Sequence, residues 1–306
     1  MKKQLVWVSI ASLGLSAYAG NIAITSGSDA IHLVDRTVSG GLVDFHGVQN
    51  ASPLGSAFDV AWDPSTGELV SLNSIGLYRN DGTVWRSTRS LSSSVGSGMN
   101  LAISQSGRIA ITTASLGIHL VDESIGFVDF NGNPFGGALG QAYDIDWDPI
   151  TGELVALGFN SLWRNSGTGW VGGNVSGFTV GPIENMNLAV SSSGEIAITS
   201  GNNSIHLLDE SIGSFGALVD WSGNATGASL GTGFDIDWDP ETGELVALGN
   251  NSLWRNDGSG WTGGTISALS TAPNDNMNLT VIPEPSTIAF LGIFGSGLLI
   301  TRRYFL

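Results

Sequence analysis

The stretch FDIDWDPETGELVALGNNSLWRNDGSGW (234–261) decides the fold, because closely similar copies occur twice more along the chain. The earlier copies read FDVAWDPSTGELVSLNSIGLYRNDGTVW (58–85) and YDIDWDPITGELVALGFNSLWRNSGTGW (143–170). Each copy alternates short apolar runs with turns rich in Gly, Asn, Asp and Pro, which is typical of β-strands joined by tight connections. No apolar stripe of helical period accompanies the repeats, so we expect an all-β fold.

A second type of unit lies between these copies. MNLAISQSGRIAITTASLGIHLVD (99–122) recurs as MNLAVSSSGEIAITSGNNSIHLLD (186–209), and a further short strand follows, such as GFVDF (126–130) or ALVDW (217–221). The units follow one another at about 44 residues, and four short strands in that length match the blade of a β-propeller. A β-solenoid or several small sandwiches are the alternatives, but the period is long for a solenoid rung. The units start at Phe58, Met99, Tyr143, Met186, Phe234 and Met277.

The two ends of the repeat region complement each other. The last unit contains one strand, MNLTV (277–281), whereas the first segment, NIAITSGSDAIHLVDRTVSGGLVDF (21–45), contains the other three. A blade that takes one strand from the C-terminal end and three from the N-terminal end closes the ring and leaves no open edge there. We therefore predict a six-bladed β-propeller over residues 20–281, closed by the C-terminal strand.

The N-terminal segment MKKQLVWVSIASLGLSAYAG (1–20) has the pattern of a secretory signal peptide. Two lysines precede a mostly apolar run, and the small residues Ala17 and Ala19 come directly before Gly20. This pattern predicts a short apolar helix over residues 1–19 that is removed after Ala19. A buried first strand of the domain is the alternative.

The C-terminal segment combines three features in a fixed order. Pro283, Glu284 and Pro285 precede the largely apolar run IAFLGIFGSGLLI (288–300), and the basic pair Arg302 and Arg303 follows. The apolar run is shorter than the about 20 residues that a relaxed membrane-spanning helix needs. Arginines after such a run favour a cytoplasmic location for its end. We expect a short apolar helix here, within a sorting segment over residues 282–306.

This combination resembles the PEP-CTERM sorting signal of Gram-negative bacteria, over residues 282–306 only. The basic cluster is shorter than in the family pattern. The resemblance implies that an exosortase recognises the tail and cuts at or near Pro283, Glu284 and Pro285. It also implies export across the inner membrane and an association with exopolysaccharide and biofilm matrix. A permanent membrane anchor is the alternative.

Composition limits the partners of the chain. Its formal net charge is −16, and its only lysines are Lys2 and Lys3. Such a surface repels nucleic acid and anionic lipid, so we expect no nucleic-acid partner and membrane contact only through the uncleaved tail. An acidic surface is better suited to binding cations or neutral sugars, or simply to keeping the protein soluble. The absence of cysteine excludes disulfides, thiolate metal sites and cysteine nucleophiles.

The Asp-Pro-x-Thr-Gly-Glu motif at Asp63, Asp148 and Asp239 has two interpretations. Together with Asp144 and Asp146 it spells an Asp-x-Asp-x-Asp pattern, which invites a calcium-loop interpretation. A calcium loop of the EF-hand type needs glycine where proline stands here, and helices on both sides. We therefore predict a hairpin turn, in which Asp caps the turn, Pro fixes φ and Gly adopts positive φ.

Three histidines, His32, His119 and His206, recur in Ile-His-Leu and could indicate zinc. The third strand of a blade lies roughly 10 Å outside the innermost strand, whereas zinc holds nitrogens at about 2.1 Å. We therefore interpret these histidines as packing or hydrogen-bonded residues.

Aromatic residues recur at three positions of the longer unit. Those after the first strand could form a sugar-stacking surface, but their strict repetition favours packing between blades. The neighbouring arginines, Arg79, Arg164 and Arg255, are expected to pair with carboxylates or stack on rings. The aromatic residues are Trp62, Trp147 and Trp238 in the first strand, then Tyr78, Trp163 and Trp254, and finally Trp85, Trp170 and Trp261.

The second residue of every predicted innermost strand is polar. Around a six-bladed axis these side chains converge near the channel, where we hypothesise that they bind a cation or ordered water. Calcium at Asp59, Asp144 and Asp235 is the candidate, and no other cofactor is expected. The alternative is that each side chain caps the loop entering its own strand. The residues of this ring are Asp59, Asn100, Asp144, Asn187, Asp235 and Asn278.

No catalytic constellation stands out in the sequence, and its paired carboxylates recur three times, whereas a catalytic pair usually breaks the symmetry once. We therefore predict an exported, non-enzymatic propeller at the cell surface or in the extracellular matrix. The exosortase and secretion machinery are its expected partners during export, and exopolysaccharide is a further candidate. The alternative is a polysaccharide lyase or glycoside hydrolase with Asp or Glu at the channel mouth.

Overall fold

The computed structural model describes most of the chain between the two terminal segments. Every regular element in it is a β-strand, which confirms the all-β prediction. The helices predicted at both termini lie outside the described residues, and so do the processing residues Ala17, Ala19, Gly20, Glu284, Pro285, Arg302 and Arg303. Among the described residues, no helix has the length and apolarity that crossing a membrane requires. The described residues are 21–26, 29–35, 41–45, 48–50, 52–91, 99–113, 115–177, 186–200, 202–212, 215–226, 228–266, 269 and 277–283.

The strands form six antiparallel sheets, which we number as blades 1 to 6 in chain order. Blade 1 contains β1 (Ile22–Thr25), β2 (Ala30–Val34), β3 (Leu42–Val43), β4 (Gly55–Ser56) and β27 (Leu279–Val281). Blade 2 contains β5 (Asp59–Asp63), β6 (Glu68–Asn73), β7 (Gly76–Asn80) and β8 (Trp85–Ser90). Blade 3 contains β9 (Leu101–Ile103), β10 (Ile109–Thr112), β11 (Gly117–Asp122), β12 (Gly126–Val128) and β13 (Gly140–Gln141).

The second half of the ring repeats the same two arrangements. Blade 4 contains β14 (Asp144–Trp147), β15 (Leu154–Gly158), β16 (Ser161–Asn165) and β17 (Trp170–Asn174). Blade 5 contains β18 (Leu188–Val190), β19 (Ile196–Thr199), β20 (Ser204–Asp209), β21 (Ala217–Val219) and β22 (Gly231–Thr232). Blade 6 contains β23 (Asp235–Trp238), β24 (Leu245–Gly249), β25 (Ser252–Asn256) and β26 (Trp261–Thr265).

The innermost strands make the blades into a closed ring. They contact one another in the cycle β27, β5, β9, β14, β18, β23 and back to β27. The predicted six-bladed propeller is therefore confirmed, and the solenoid and separate-sandwich alternatives are excluded.

The ring closes where the two ends of the domain meet. β27 pairs antiparallel with β1, with Val281 opposite Ile22 and Leu279 opposite Ile24. The next residue, Ile282, is fully buried, and its backbone N–H donates to the carbonyl oxygen of Asn21 at 2.9 Å. The folded domain thus includes Ile282, one residue beyond the boundary predicted at 281.

Blades of two types alternate around the ring. Blades 2, 4 and 6, which begin with Asp59, Asp144 and Asp235, have one full outer strand, and we call them Asp-type blades. In blades 1, 3 and 5, the Asn-type blades, two short strands share that position. In blade 3, for example, β12 and β13 both pair with β11. The sequence predicted β12 and missed β13, because a two-residue strand carries no alternation of polar and apolar residues.

Apolar clusters fill every interface between neighbouring blades. Successive residues of a strand face opposite neighbours. Leu154 therefore packs between blades 3 and 4, whereas Val155 packs between blades 4 and 5. Burial on both faces explains the nearly continuous apolar runs such as ELVALG.

The Asp-Pro-x-Thr-Gly motifs form the predicted hairpin turns. The Asp148 carboxylate accepts hydrogen bonds from the backbone N–H groups of Ile150 and Thr151, at 2.8 and 3.1 Å. The backbone N–H of Gly152 donates to the Asp148 carbonyl oxygen, and the φ of Gly152 is +70°. Glycine adopts this left-handed conformation without the steric cost that a side chain adds.

Candidate functional site

The innermost strands of all six blades surround one axial cavity of about 430 Å³. All six residues of the predicted polar ring line it, so the structure brings them together at the channel. Pro283, the first residue of the Pro-Glu-Pro motif, also lines this cavity. The acid groups and the amide groups of the ring take different partners.

The aspartates of the ring bind the backbone of the following blade. An innermost strand is the edge of its own sheet, so part of its N–H groups has no partner within that sheet. The carboxylates supply those partners. Asp59 accepts from the N–H of Leu101, Asp144 from that of Leu188, and Asp235 from that of Leu279, each at 2.6 Å.

The asparagines of the ring continue the same pattern. The Asn100 side-chain amide donates to the carbonyl oxygen of Tyr143 at 2.6 Å, and that of Asn278 donates to Phe58 at 2.7 Å. Asn187 donates in the same way to the carbonyl oxygen of Phe234. The six side chains therefore link every blade to the next, and we call this closed series the first belt.

A second belt lies two residues further along the innermost strands, and it is incomplete. Asp146 accepts from the N–H of Val190 at 2.7 Å, and Asp237 accepts from that of Val281 at 2.8 Å. Ala61 occupies the equivalent position of blade 2 and has no side-chain oxygen to accept the N–H of Ile103. The Asp-x-Asp pattern of blades 4 and 6 is the sequence signal for this belt, although the sequence alone suggests only a calcium loop or a turn.

The belts also change the interpretation of the ring. Oδ1 of Asp59 and of Asp144 accepts from the N–H of the residue that follows it, at 2.6 and 2.8 Å. The other carboxylate oxygen crosses to the neighbouring blade. The side chains therefore connect blades, which neither the loop-capping alternative nor the cation hypothesis had anticipated.

The five aspartates of the belts titrate abnormally. Burial raises the pKa of Asp144 and of Asp237 to about 7, against the hydrogen bonds from backbone N–H groups. Burial likewise raises the pKa of Asp59, Asp146 and Asp235 well above the usual range, and neighbouring carboxyl groups add to the rise. In the part of the chain that the structure describes, no arginine forms an ion pair with any of the five.

Arg108 breaks the repetition of the cavity wall. Its guanidinium carbon lies 4.6 Å from the ring centroid of Trp147 and 5.1 Å from that of Phe130. The corresponding residue of blade 5 is Glu195, so this cation belongs to one blade. Burial lowers the pKa of Arg108.

Among the described residues, no group of three or more His, Asp or Glu side chains is placed to hold a metal ion. Asp59, Asp144 and Asp235 line the same cavity, but their oxygens already accept backbone N–H groups. Calcium binding at these three residues therefore stays a hypothesis.

The histidines lie on the third strands, as expected, with His32 in β2, His119 in β11 and His206 in β20. His119 stacks on Phe127 at a centroid distance of 4.4 Å. Burial lowers the pKa of all three imidazoles. The three belong to three separate blades and pack within them, which agrees with the packing interpretation.

The tryptophans that begin the outer strands join neighbouring blades. The indole N–H of Trp170 donates to the carbonyl oxygen of Leu139 in the preceding blade at 2.8 Å. Gly140 packs against this ring, since a Cβ there would lie 3.0 Å from the indole nitrogen. Trp85 and Trp261 repeat the arrangement with Leu54 and Leu230. The packing interpretation is confirmed for these three tryptophans.

The repeated arginines pair with carboxylates, as expected. Arg164 binds Asp148 of its own blade at 2.5 Å and Glu210 of the next blade at 2.6 Å. Arg79 pairs in the same way with Asp63 and Glu123. These ion pairs form further polar links between neighbouring blades, away from the central axis. Arg255 pairs with Asp239 and Glu244 in blade 6.

Comparisons with known proteins return similar folds and no family. No family model matches the chain, and no curated protein is similar to it. A structure of catalytically inactive virginiamycin B lyase from Staphylococcus aureus with quinupristin is 13% identical, with a TM-score of 0.47, and the match covers 80% of this chain and 76% of the lyase chain. A structure of YCF48 bound to D1 peptide is 14% identical, with a TM-score of 0.44, over 89% of this chain and 94% of the other. At these values neither similarity bears on function, and the propeller assignment rests on the strand pairing described above.

Proposed function

We propose that this protein is an exported, non-catalytic β-propeller of the cell surface or extracellular matrix of a Gram-negative bacterium. Secretion machinery removes residues 1–19, and an exosortase removes the tail at or near Pro283, Glu284 and Pro285. Exopolysaccharide is the candidate partner of the mature domain. The proposal combines the terminal sequence patterns with the location of the two domain ends.

The observation that carries the proposal is the closure of the ring between Asn21 and Ile282. Both residues are buried and bonded to each other, and the proposed processing sites lie directly outside them. Because all strand pairs described fall between these residues, removal of both terminal segments leaves the described sheets intact. A removable tail requires a domain that is complete without it.

The repetition of the belts supports a non-catalytic role. Asp59, Asp144 and Asp235 take equivalent partners at three places, and each partner is a backbone N–H of the next blade. A group engaged in this way holds the fold together. Catalytic groups usually break such symmetry at one place.

The processing proposal is tested by expressing the full chain in a Gram-negative host that possesses an exosortase. Intact mass and terminal peptides of the exported protein are measured by mass spectrometry. We expect an N-terminus at Gly20 and a C-terminus near Pro283. A Glu284→Ala variant should keep its tail, and Glu241→Ala, an exposed change within the domain, is the matched control. An exported protein that keeps residues 286–306 in the wild type contradicts the proposal.

A carbohydrate-active enzyme is the second candidate function. The observation in its favour is that Asp144 and Asp237, whose pKa values are about 7, line a cavity that also contains the single-blade residue Arg108. Such a carboxyl group suits general acid catalysis near neutral pH. The domain is screened against acidic and neutral polysaccharides, with binding and cleavage scored separately. Cleavage that is lost in Asp144→Asn would establish this function in place of the first.

A further inference from the structure

The carboxylates of the second belt each bind two backbone N–H groups, one in their own strand and one in the next blade. Asp146 of blade 4 accepts from Trp147 and from Val190, both at 2.7 Å. Asp237 of blade 6 binds its two N–H partners in the same way, at 2.7 and 2.8 Å. Each carboxylate therefore occupies a place that two converging N–H groups define.

Ala61 stands at the equivalent position of blade 2, where the two N–H groups belong to Trp62 and Ile103. The Trp62 N–H makes a long hydrogen bond of 3.4 Å to Oγ1 of Thr280. The Ile103 N–H faces the channel, because the N–H of its neighbour Ser104 bonds within the sheet and successive N–H groups of a strand point in opposite directions. In the described part of the chain, no acceptor binds the Ile103 N–H. Blade 2 thus presents the donors of a carboxylate site without supplying the carboxylate.

These donors lie beside open space. Ala61, Trp62 and Ile103 all line the axial cavity of about 430 Å³. This volume falls within the range of about 300–1,000 Å³ that is usual for small-molecule sites. The polar side chains of Gln105 and Ser192 line the same cavity and are able to bind hydroxyl groups.

Arg108 brings a positive charge to the same cavity. Its backbone carbonyl accepts from the N–H of Ser104 at 2.9 Å, so it lies across the hairpin from the residue that follows Ile103. Its guanidinium stacks on Trp147 and Phe130, and its buried Nη2 has no hydrogen-bond partner among the described residues. Of the described residues that line the cavity, it is the one with a permanent positive charge.

We infer that the axial cavity binds the carboxyl group of a small organic acid between Ala61 and Ile103, in the place that an aspartate side chain occupies in blades 4 and 6. The carboxyl oxygens accept the N–H groups of Trp62 and Ile103, and Arg108 adds electrostatic attraction. A uronic acid suits the site best, because its hydroxyl groups match the polar residues of the cavity wall. The site does not depend on export or on tail removal, so this inference and the proposed function are tested separately.

The belt aspartates determine the conditions under which a carboxylate enters. Burial raises the pKa of all five above the usual range. Below neutral pH they therefore carry less negative charge and repel an entering carboxylate less. Binding is accordingly measured at pH 6.

The test adds D-galacturonate to the purified protein, follows the amide signal of Ile103 by NMR and measures affinity by calorimetry. We expect a saturable displacement of the Ile103 signal. Acetate, which has the carboxyl group without the hydroxyl groups, should displace the same signal with lower affinity. D-Galactose lacks the carboxyl group and is the matched control, so it should leave the signal in place.

The Ala61→Asp variant supplies the acceptor from the chain itself. Its carboxyl group should bind the Ile103 N–H as Asp146 binds that of Val190. Galacturonate should then bind at least about tenfold more weakly, which corresponds to the loss of a hydrogen bond with a charged partner. Ala61→Gly adds no acceptor and should keep the wild-type affinity. Arg108→Gln should weaken binding but leave the displacement of Ile103 at saturation.

The reverse substitution tests the same relationship at a second place. Asp146→Ala removes the carboxylate of blade 4, so added acetate should displace the amide signal of Val190, which does not respond in the wild type. This comparison also serves if Ala61→Asp fails to fold.

A trimer of galacturonate distinguishes the sources of the ligand. Tighter binding of the trimer than of the monomer indicates an acidic polysaccharide, and equal affinity indicates a free acid; both results support the site. The inference is overturned if galacturonate and acetate leave the Ile103 amide unchanged, if galactose displaces it equally, or if Ala61→Asp binds galacturonate with unchanged affinity.

Discussion

At the scale of single residues, substitutions in the first belt show whether stability requires a hydrogen-bond acceptor or a negative charge at these positions. Asp59→Ala leaves the N–H of Leu101 without its carboxylate partner, which costs about 1–3 kcal/mol when the group is buried. Asp59→Asn retains an oxygen acceptor, so we expect a smaller loss. Urea unfolding of both variants at pH 7.5 measures the difference. Equal stability of the Ala variant and the wild type would contradict the role assigned to Asp59.

The glycines beneath the outer tryptophans give a second prediction at this scale. In Gly231→Ala the new Cβ would lie 2.9 Å from the indole nitrogen of Trp261, so the ring must shift and strain its bond to Leu230. Such overpacking costs typically about 1–3 kcal/mol of unfolding free energy. Gly264→Ala, with no atom within 4 Å of the new Cβ, is the matched control. A change of less than about 0.5 kcal/mol is expected there.

Individual residues were predicted unevenly from sequence. The ring of alternating Asp and Asn was predictable, because aligning the repeated units of the chain shows a polar residue at the same position of each unit. The partners of those side chains were not predictable. Five of them are backbone groups 42 to 47 residues away, and the partner of Asn278, Phe58, is 220 residues away. Their proximity depends on how two blades pack. The same reason explains why Ala61, a gap in the second belt, had no significance in the sequence.

At the scale of elements, β27 carries the closure of the ring. A chain that ends at Asn276 loses the pairing of β27 with β1 and the buried side chains of Leu279, Val281 and Ile282. It also leaves the inner edge of blade 1 unpaired, which favours association of chains. We expect a much lower melting temperature and aggregation, compared with a chain that ends at Pro283. Equal melting temperatures of the two chains would show that closure contributes no stability.

The elements themselves were largely predictable, because each strand is flanked by turn residues. Strands β4, β13 and β22 were the exception. Each has two residues and pairs only with the end of a third strand, as Gly140 does with Ile118. Such two-residue strands are determined by tertiary contacts rather than by the β-propensity of their own residues. Trp170 lies against Gly140 and fixes its position.

At the scale of the whole molecule, we expect stability to be greatest in mild acid. Because their folded pKa values are raised, the belt carboxyl groups lose their favourable contribution as pH rises from the unfolded value of about 3.9 through the folded values, which are about 7 for Asp144 and Asp237. At low pH, hydrogen bonds and Arg164 hold the pKa of Asp148 below its usual range, against the effect of burial. The same holds for Asp63 with Ser65 and Arg79. These contributions are present above the unfolded pKa of about 3.9 and are lost as pH falls below it.

The melting temperature measured from pH 2 to 9 should therefore pass through a maximum between about pH 4 and 7. Moderate salt is used throughout, so that general charge repulsion is screened. A maximum above pH 8 would contradict the assigned titration of the belts.

The architecture of the whole molecule was predictable from the period of the repeat. A ring of six blades follows from the number of units and from the complementary strands of the first and last units.

The alternation of the two blade types also limits how such a molecule can change in length. An Asp-type blade offers a carboxylate to the backbone N–H of the blade after it, and an Asn-type blade offers an amide to the backbone carbonyl of the blade after it. Any ring with an odd number of blades would place two blades of one type side by side and interrupt this order. Duplication or deletion is therefore compatible with an unbroken first belt only when it affects a pair of blades, so the inherited unit of this architecture is the pair.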